Sequence, residues 1–228
     1  MPTSTPGPSP RQERRDRRAA VREARNGSGP TLGDGPTSRF PGAAAKFALL
    51  GEVLLTGLLI SLVGIVIVTL PIALAAGIRH LRRFIAAEDS RLALFWADVR
   101  AGILPGAVVG LATLVITALL LLDIDLARSG FLPGGGVVEV VGWAGLAVLA
   151  VALLSAAGRW TPDAGWRAAV RGTPRAVAAD RRGALFLVAA AALVVVLTWQ
   201  LPPLFPAAIG CAALAVVAVP ERRISRRA

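Results

Sequence analysis

Residues 46–89 read KFALLGEVLLTGLLISLVGIVIVTLPIALAAGIRHLRRFIAAED. After Lys46 the chain stays apolar from Phe47 to Gly77, with Glu52 the only charge, and ends in Arg79-His80-Leu81-Arg82-Arg83. An apolar run longer than about eighteen residues belongs in a bilayer. As one straight helix the run would be about 47 Å long, against roughly 30 Å of hydrocarbon. It must therefore tilt, break or fold back. Val63 to Thr69 is rich in β-branched residues and contains Gly64, and Pro71 lacks a backbone donor. These residues place a break between Ser61 and Pro71. Pro71 then suits the first turn of a second helix that runs into the basic face of Arg79, Arg82 and Arg83.

The rest of the chain follows the same pattern. Of 228 residues, 55% are hydrophobic and 17% charged, where a soluble domain is nearer one-quarter charged. Further apolar segments lie at residues 101–122, 137–157, 184–200 and 204–219, so the membrane domain covers residues 46–219. The fold class expected is all-α: a polytopic helical membrane protein of about five hydrophobic segments, the first broken or re-entrant. Residues 1–45 form a Pro-, Gly- and Arg-rich tail that cannot bury apolar surface and is expected to be disordered. Residues 220–228 form a short basic tail. The heavy use of Arg, Ala, Gly and Val is that of a GC-rich bacterial genome.

Between the spans lie polar connectors. Phe95, Trp96, Val99 and Ile103 recur at helical spacing among Arg91, Asp98 and Arg100, which predicts an interfacial amphipathic helix before the second span. Gly102, Gly106 and Gly110 within that span give two overlapping GxxxG spacings, suited to close helix packing. Asp123 to Gly136 reads as an exposed loop. Trp166, Ala169, Val170, Thr173 and Val177 mark a second interfacial helix, broken near Pro174. Leu201-Pro202-Pro203 closes a tight hairpin.

The net charge is +11, and the arginines flank the apolar blocks. That arrangement favours an anionic membrane face over nucleic acid, since no aromatics are interleaved with the tail arginines. The basic segments are the N-tail, residues 79–100, residues 158–183 and the C-tail. The segments poor in Lys and Arg are residues 123–136 and 201–203. By the positive-inside rule both termini are cytoplasmic and the protein is a multi-pass component of the bacterial plasma membrane. The first block then has to enter and return, and each arm of about 15 residues, roughly 23 Å, is short of a full crossing. A single crossing with the N-tail outside is the competing topology. A faint internal repeat, Glu88 to Ala157 and Asp163 to Val219, pairs a Trp-containing basic segment with a helical hairpin in each half.

Leu70-Pro71-Ile72-Ala73-Leu74-Ala75-Ala76, Arg79-His80-Leu81-Arg82-Arg83, Glu88-Asp89 and Phe95-Trp96 resemble the signature of the YesL-like bacterial membrane proteins, which share a domain of unknown function numbered 624. The resemblance covers residues 46–219. The chain departs from it in its long N-tail and in Ala87, where glycine is usual before Glu88. The family has no established activity. The setting of some members beside sugar ABC-transporter components implies an accessory role in carbohydrate uptake, with a sugar permease as partner.

Few residues can carry chemistry. Glu52 lies inside an apolar block, where an acid is expensive and a functional candidate, although it can also snorkel to an interface six residues from Lys46. Arg79 or Arg82 is its expected partner if the block folds back. His80 titrates near neutral pH in model compounds, yet a lone His among arginines is more often part of an interfacial polar face. Asp123 and Asp125 read as solvated loop residues. One His and one Cys give no metal-ligand set. There is no Ser-His-Asp arrangement and no Walker loop, and no catalytic, cofactor or metal residue is assigned. The expectation is a non-enzymatic accessory membrane protein, with an autonomous small-solute transporter or channel using Glu52 as the alternative.

Overall fold

The computed structural model describes residues 41–130 and 133–225, with side chains described for 47–130 and 133–218. The expectations for the N-terminal tail up to residue 40 and for the last three residues fall outside them. The described residues are helical, with no strand among them. The helices are α1 (Pro41–Val63), α2 (Leu70–Ile85), α3 (Leu92–Arg128), α4 (Gly135–Arg159), α5 (Gly165–Ala179), α6 (Arg181–Gln200) and α7 (Phe205–Ser225). Short 3-10 turns at Ile67–Thr69 and Pro202–Leu204 precede α2 and α7. Three helices, α3, α4 and α6, are long and apolar enough to cross a membrane. Phe47–Val63 and Pro202–Ala218 are shorter apolar helical stretches.

The long first block is interrupted at residues 64–69. Gly64 closes α1 by bonding back to the Ile60 carbonyl at 2.7 Å. The Thr69 hydroxyl lies within reach of the Val63 and Val66 carbonyls, and the Thr69 amide donates to the Val66 carbonyl at 2.8 Å. Pro71 sits in the first turn of α2, where a missing N–H has no consequence. The chain then reverses, and α2 runs back alongside α1.

The reversed helix is the hub. Every residue from Pro71 to Ile78 is buried, as are His80 and Leu81. α2 packs against α1, α3, α4 and α7. Small residues at Ala73, Ala75, Ala76 and Gly77 let these neighbours approach on several sides at once. Ile72, Leu74, Ile78 and Leu81 fill the space between them, in one core with Trp160, Trp166, Ile209 and Val216.

Three expectations are corrected. The amphipathic stretch near Phe95 is not a separate interfacial helix. It is the first part of the 37-residue α3, about 55 Å long. No breaker separates the two parts, and Pro105 is accommodated inside the helix. Asp123 and Asp125 lie in the last turns of α3, not in a loop. Isolated acids do not end a helix, and α3 ends instead at Arg128, just before Gly130 with φ +80°. Likewise α5 continues through Pro174.

The turn after α2 contains Ala87 at φ +54°, the only described non-glycine residue in the left-handed region. The Glu88 amide bonds back to the Arg83 carbonyl at 2.9 Å, closing the helix end. A Cβ is strained there, and glycine would not be.

Candidate functional site

Reversal of the first block brings its polar residues together. Folding the chain about Val66 sets residue 52 opposite 80 and residue 56 opposite 76–77. Accordingly, His80 Nε2 lies 2.5 Å from Glu52 Oε1. A Cβ at Gly77 would meet Thr56 Cγ2 at 3.1 Å. His80 is 1% exposed at the side chain and Glu52 17%. The partner of Glu52 is thus His80, and the Arg79 guanidinium turns to a different acid. His80 is also not part of an interfacial polar face, because α1 and the edge of Phe95, 6.4 Å between ring centroids, enclose it.

The second cluster is centred on Asp98 of α3, which is 6% exposed at the side chain. Its Oδ2 accepts from Arg79 Nε at 3.1 Å and lies 2.9 Å from Arg83 Nη2. Arg79 and Arg83 stand one turn apart on α2, so the single carboxylate clamps α2 to α3. The Arg79 guanidinium also sits 5.8 Å from the centre of the Trp160 ring, and Trp160 stacks at a tilt on Trp166 of α5 at 6.1 Å. One chain of contacts therefore links α3, α2, the end of α4 and α5. Buried acids are stable only when paired, and Asp98 has two cations within reach.

The seam keeps several unpartnered atoms. Thr56 Oγ1, His80 Nδ1, Arg83 Nη1 and Trp166 Nε1 are buried without a hydrogen-bond partner among the described residues. Arg82, adjacent in sequence to Arg83, borders a separate cleft among α2, α4, α5, α6 and α7.

The three glycines of the GxxxG pattern all lie on the buried side of α3. A Cβ at Gly102 would fall 2.3 Å from Ile72 Cδ1 and 2.6 Å from Trp160, and one at Gly106 would fall 2.9 Å from Ile72 Cβ. At Gly110 it would fall 1.9 Å from the Val68 carbonyl oxygen, in the turn between α1 and α2. A similar backbone approach joins α1 to α7. A Cβ at Gly57 would fall 1.9 Å from the Pro206 carbonyl oxygen, and one at Gly210 would fall 2.3 Å from that of Val53.

Asp98 and Thr56 were not singled out in the sequence. Asp98 reads as one more polar residue on an amphipathic face. Its signal is the Arg79/Arg83 spacing of four on α2, which calls for one acid opposite. Outside the bundle, Asp89 and Arg91 form an exposed pair, and the guanidinium holds the Asp89 carboxyl below its usual range. Among the described residues no three His, Cys, Asp or Glu side chains converge. Comparison with protein-family models, curated proteins and solved structures gave no match.

Proposed function

We propose that this chain is a multi-pass protein of the bacterial plasma membrane that serves as a non-enzymatic accessory component of carbohydrate uptake, with a sugar permease as its partner. One observation carries the non-enzymatic part: the charges inside the bundle face each other. Glu52 meets His80, and Asp98 meets Arg79 and Arg83, so these groups hold helices together. The outward faces of α3 and α4 expose Leu104, Val108, Val115, Leu119, Val140 and Val148, which suits lipid or the helices of a partner. The carbohydrate part rests on the resemblance of Leu70 to Trp96 to the YesL-like proteins.

In this reading α1 and α2 form a re-entrant hairpin, the basic helix ends face an anionic cytoplasmic leaflet, and both termini are cytoplasmic. The Val68 carbonyl against Gly110, partway along α3, supports a turn that stops inside the bilayer. Gentle crosslinking in native membranes, followed by purification through a C-terminal tag, tests the accessory role. A stoichiometric permease is the expected co-purifying protein. Recovery of the chain alone, together with solute uptake by liposomes containing only this protein, overturns the proposal.

The Glu52–His80 pair inside the bundle favours a second reading, an autonomous transporter or channel for a small solute, because intramembrane ionisable groups mark many transport pathways. That reading requires Glu52→Gln to abolish liposome flux. Flux unchanged in the variant removes its basis.

A further inference from the structure

Two cavities meet in a part of the bundle whose lining includes neither Glu52, His80 nor Asp98. The first, about 560 Å³, lies among α2, α4, α5, α6 and α7 and is bordered by Arg82, Arg159 and Arg175 with Asp180 as its acid. The second, about 590 Å³, lies among α4, α5 and α6 and is walled by Val148, Val151, Ala152, Leu185 and Val188. Val177 and Ala184 line both, so the two are contiguous. Each is within the range of small-molecule sites.

The charge of the first cavity is unbalanced. Asp180 caps α6, accepting from the Gly183 amide at 2.9 Å. Arg159 and Arg175 have no acidic partner among the described residues. The position of Arg159 is built into α5. A Cβ at Gly172 would fall 2.6 Å from Arg159 Nη2, so the guanidinium lies across the helix where that residue has no side chain. The apolar cavity starts beside these cations and follows α4 from Ala152 back to Val148. That direction leads from the basic end of α4 toward its middle.

From this juxtaposition the geometry points to a binding site for an anionic phospholipid. The phosphate sits between Arg159 and Arg175, with Arg82 behind them, and an acyl chain lies along Val148, Val151, Leu185 and Val188. Guanidinium forks match phosphate oxygens in pairs. Basic pockets between helices at the cytoplasmic side suit lipid head groups. A free phosphate compound would use the cations but not the apolar cavity.

The test uses the full chain in mild detergent, titrated with phosphatidylglycerol and with phosphatidylcholine and read by native mass spectrometry. Melting curves serve to check that each variant folds. Phosphatidylglycerol is expected to bind at least about tenfold more tightly than phosphatidylcholine. The double variant Arg159→Gln/Arg175→Gln should remove that preference. Gly172→Val should weaken it without changing the net charge, by displacing Arg159. Ala152→Trp should weaken binding of both lipids by obstructing the apolar cavity, and millimolar inorganic phosphate should not displace the lipid. Equal binding of the two lipids, or a preference that survives the double arginine variant, overturns the proposal. Displacement by inorganic phosphate combined with no effect of Ala152→Trp assigns the cations to a soluble phosphate compound and overturns the lipid assignment.

Discussion

Gly110→Ala is the most informative single substitution, because at this position two rigid backbones meet. The added Cβ would lie 1.9 Å from the Val68 carbonyl oxygen, 2.7 Å from its carbon and 3.0 Å from its Cα. Carbon–oxygen contacts between packed helices settle near 3.3 Å or more, so the turn and α3 must part by more than about 1 Å. No rotamer change relieves this, since the obstacle is main chain. Overpacking of this kind costs about 1–3 kcal/mol, and a rigid obstacle puts it at the upper end. The better helix propensity of alanine offsets about 1 kcal/mol. The net loss is about 2 kcal/mol, or about 4–8 °C in melting temperature for a chain of this length. Gly51→Ala is the control: nothing lies within 4 Å of its Cβ position, and no loss is expected. Thermal unfolding in mild detergent, followed by near-ultraviolet circular dichroism, reads both variants. A Gly110→Ala protein that melts with or above the wild type refutes the close approach of the turn to α3.

Other substitutions test the remaining contacts. Asp98→Ala strands two guanidiniums that are 23% and 16% exposed, and should destabilise by about 2–3 kcal/mol; a loss no larger than that of an exposed acid such as Asp123→Ala would contradict the clamp. Ala87→Gly should stabilise by about 0.5–1 kcal/mol by relieving the left-handed residue, and a lower melting temperature would place the strain elsewhere. A double-mutant cycle on Glu52→Gln and His80→Ala should show coupling of about 1 kcal/mol or more, whereas additive effects would mean the two side chains do not meet. Asp89 sets the pH case. A carboxyl held below its ordinary range contributes stability that is present above that range and fades as pH falls through the lowered value. Here the pair lies exposed at the surface and is screened, so Asp89→Asn should leave the acid side of a melting-temperature profile unmoved, and a clear shift would contradict that screening.

The break in the first block was legible because its causes are local: Gly64, the β-branched residues after it and Pro71 all disfavour a continuous helix between Ser61 and Pro71. The all-helical fold followed from apolar blocks with basic ends. The extent of α3 was not legible, because a change from amphipathic to apolar patterning looks like a boundary between elements. The backbone recognises no such boundary without a breaker, and the first one after Arg91 that acts is Gly130. Asp123 and Asp125 misled for the same reason, charge being taken as a sign of a loop. The partner of Glu52 depends on where the reversal is centred. The break alone admits Arg79 or Arg82 as readily as His80, and only centring it on Val66 selects His80. The role of Asp98 depends on α2 turning back beside α3, a long-range arrangement that no local pattern encodes.

A first block that re-enters the membrane would put residues before α1 and after α2 on one side of it. The direct measurement is cysteine accessibility in oriented vesicles. The exposed Cys211 is first replaced by alanine, and single cysteines are then placed at Ser38, Ala86 and Ser129 for labelling with a membrane-impermeant maleimide. The re-entrant arrangement predicts that Ser38→Cys and Ala86→Cys label together in inside-out vesicles and that Ser129→Cys labels only in right-side-out ones. Labelling of Ser38→Cys and Ala86→Cys from opposite sides would mean that the block crosses once, and would contradict the account.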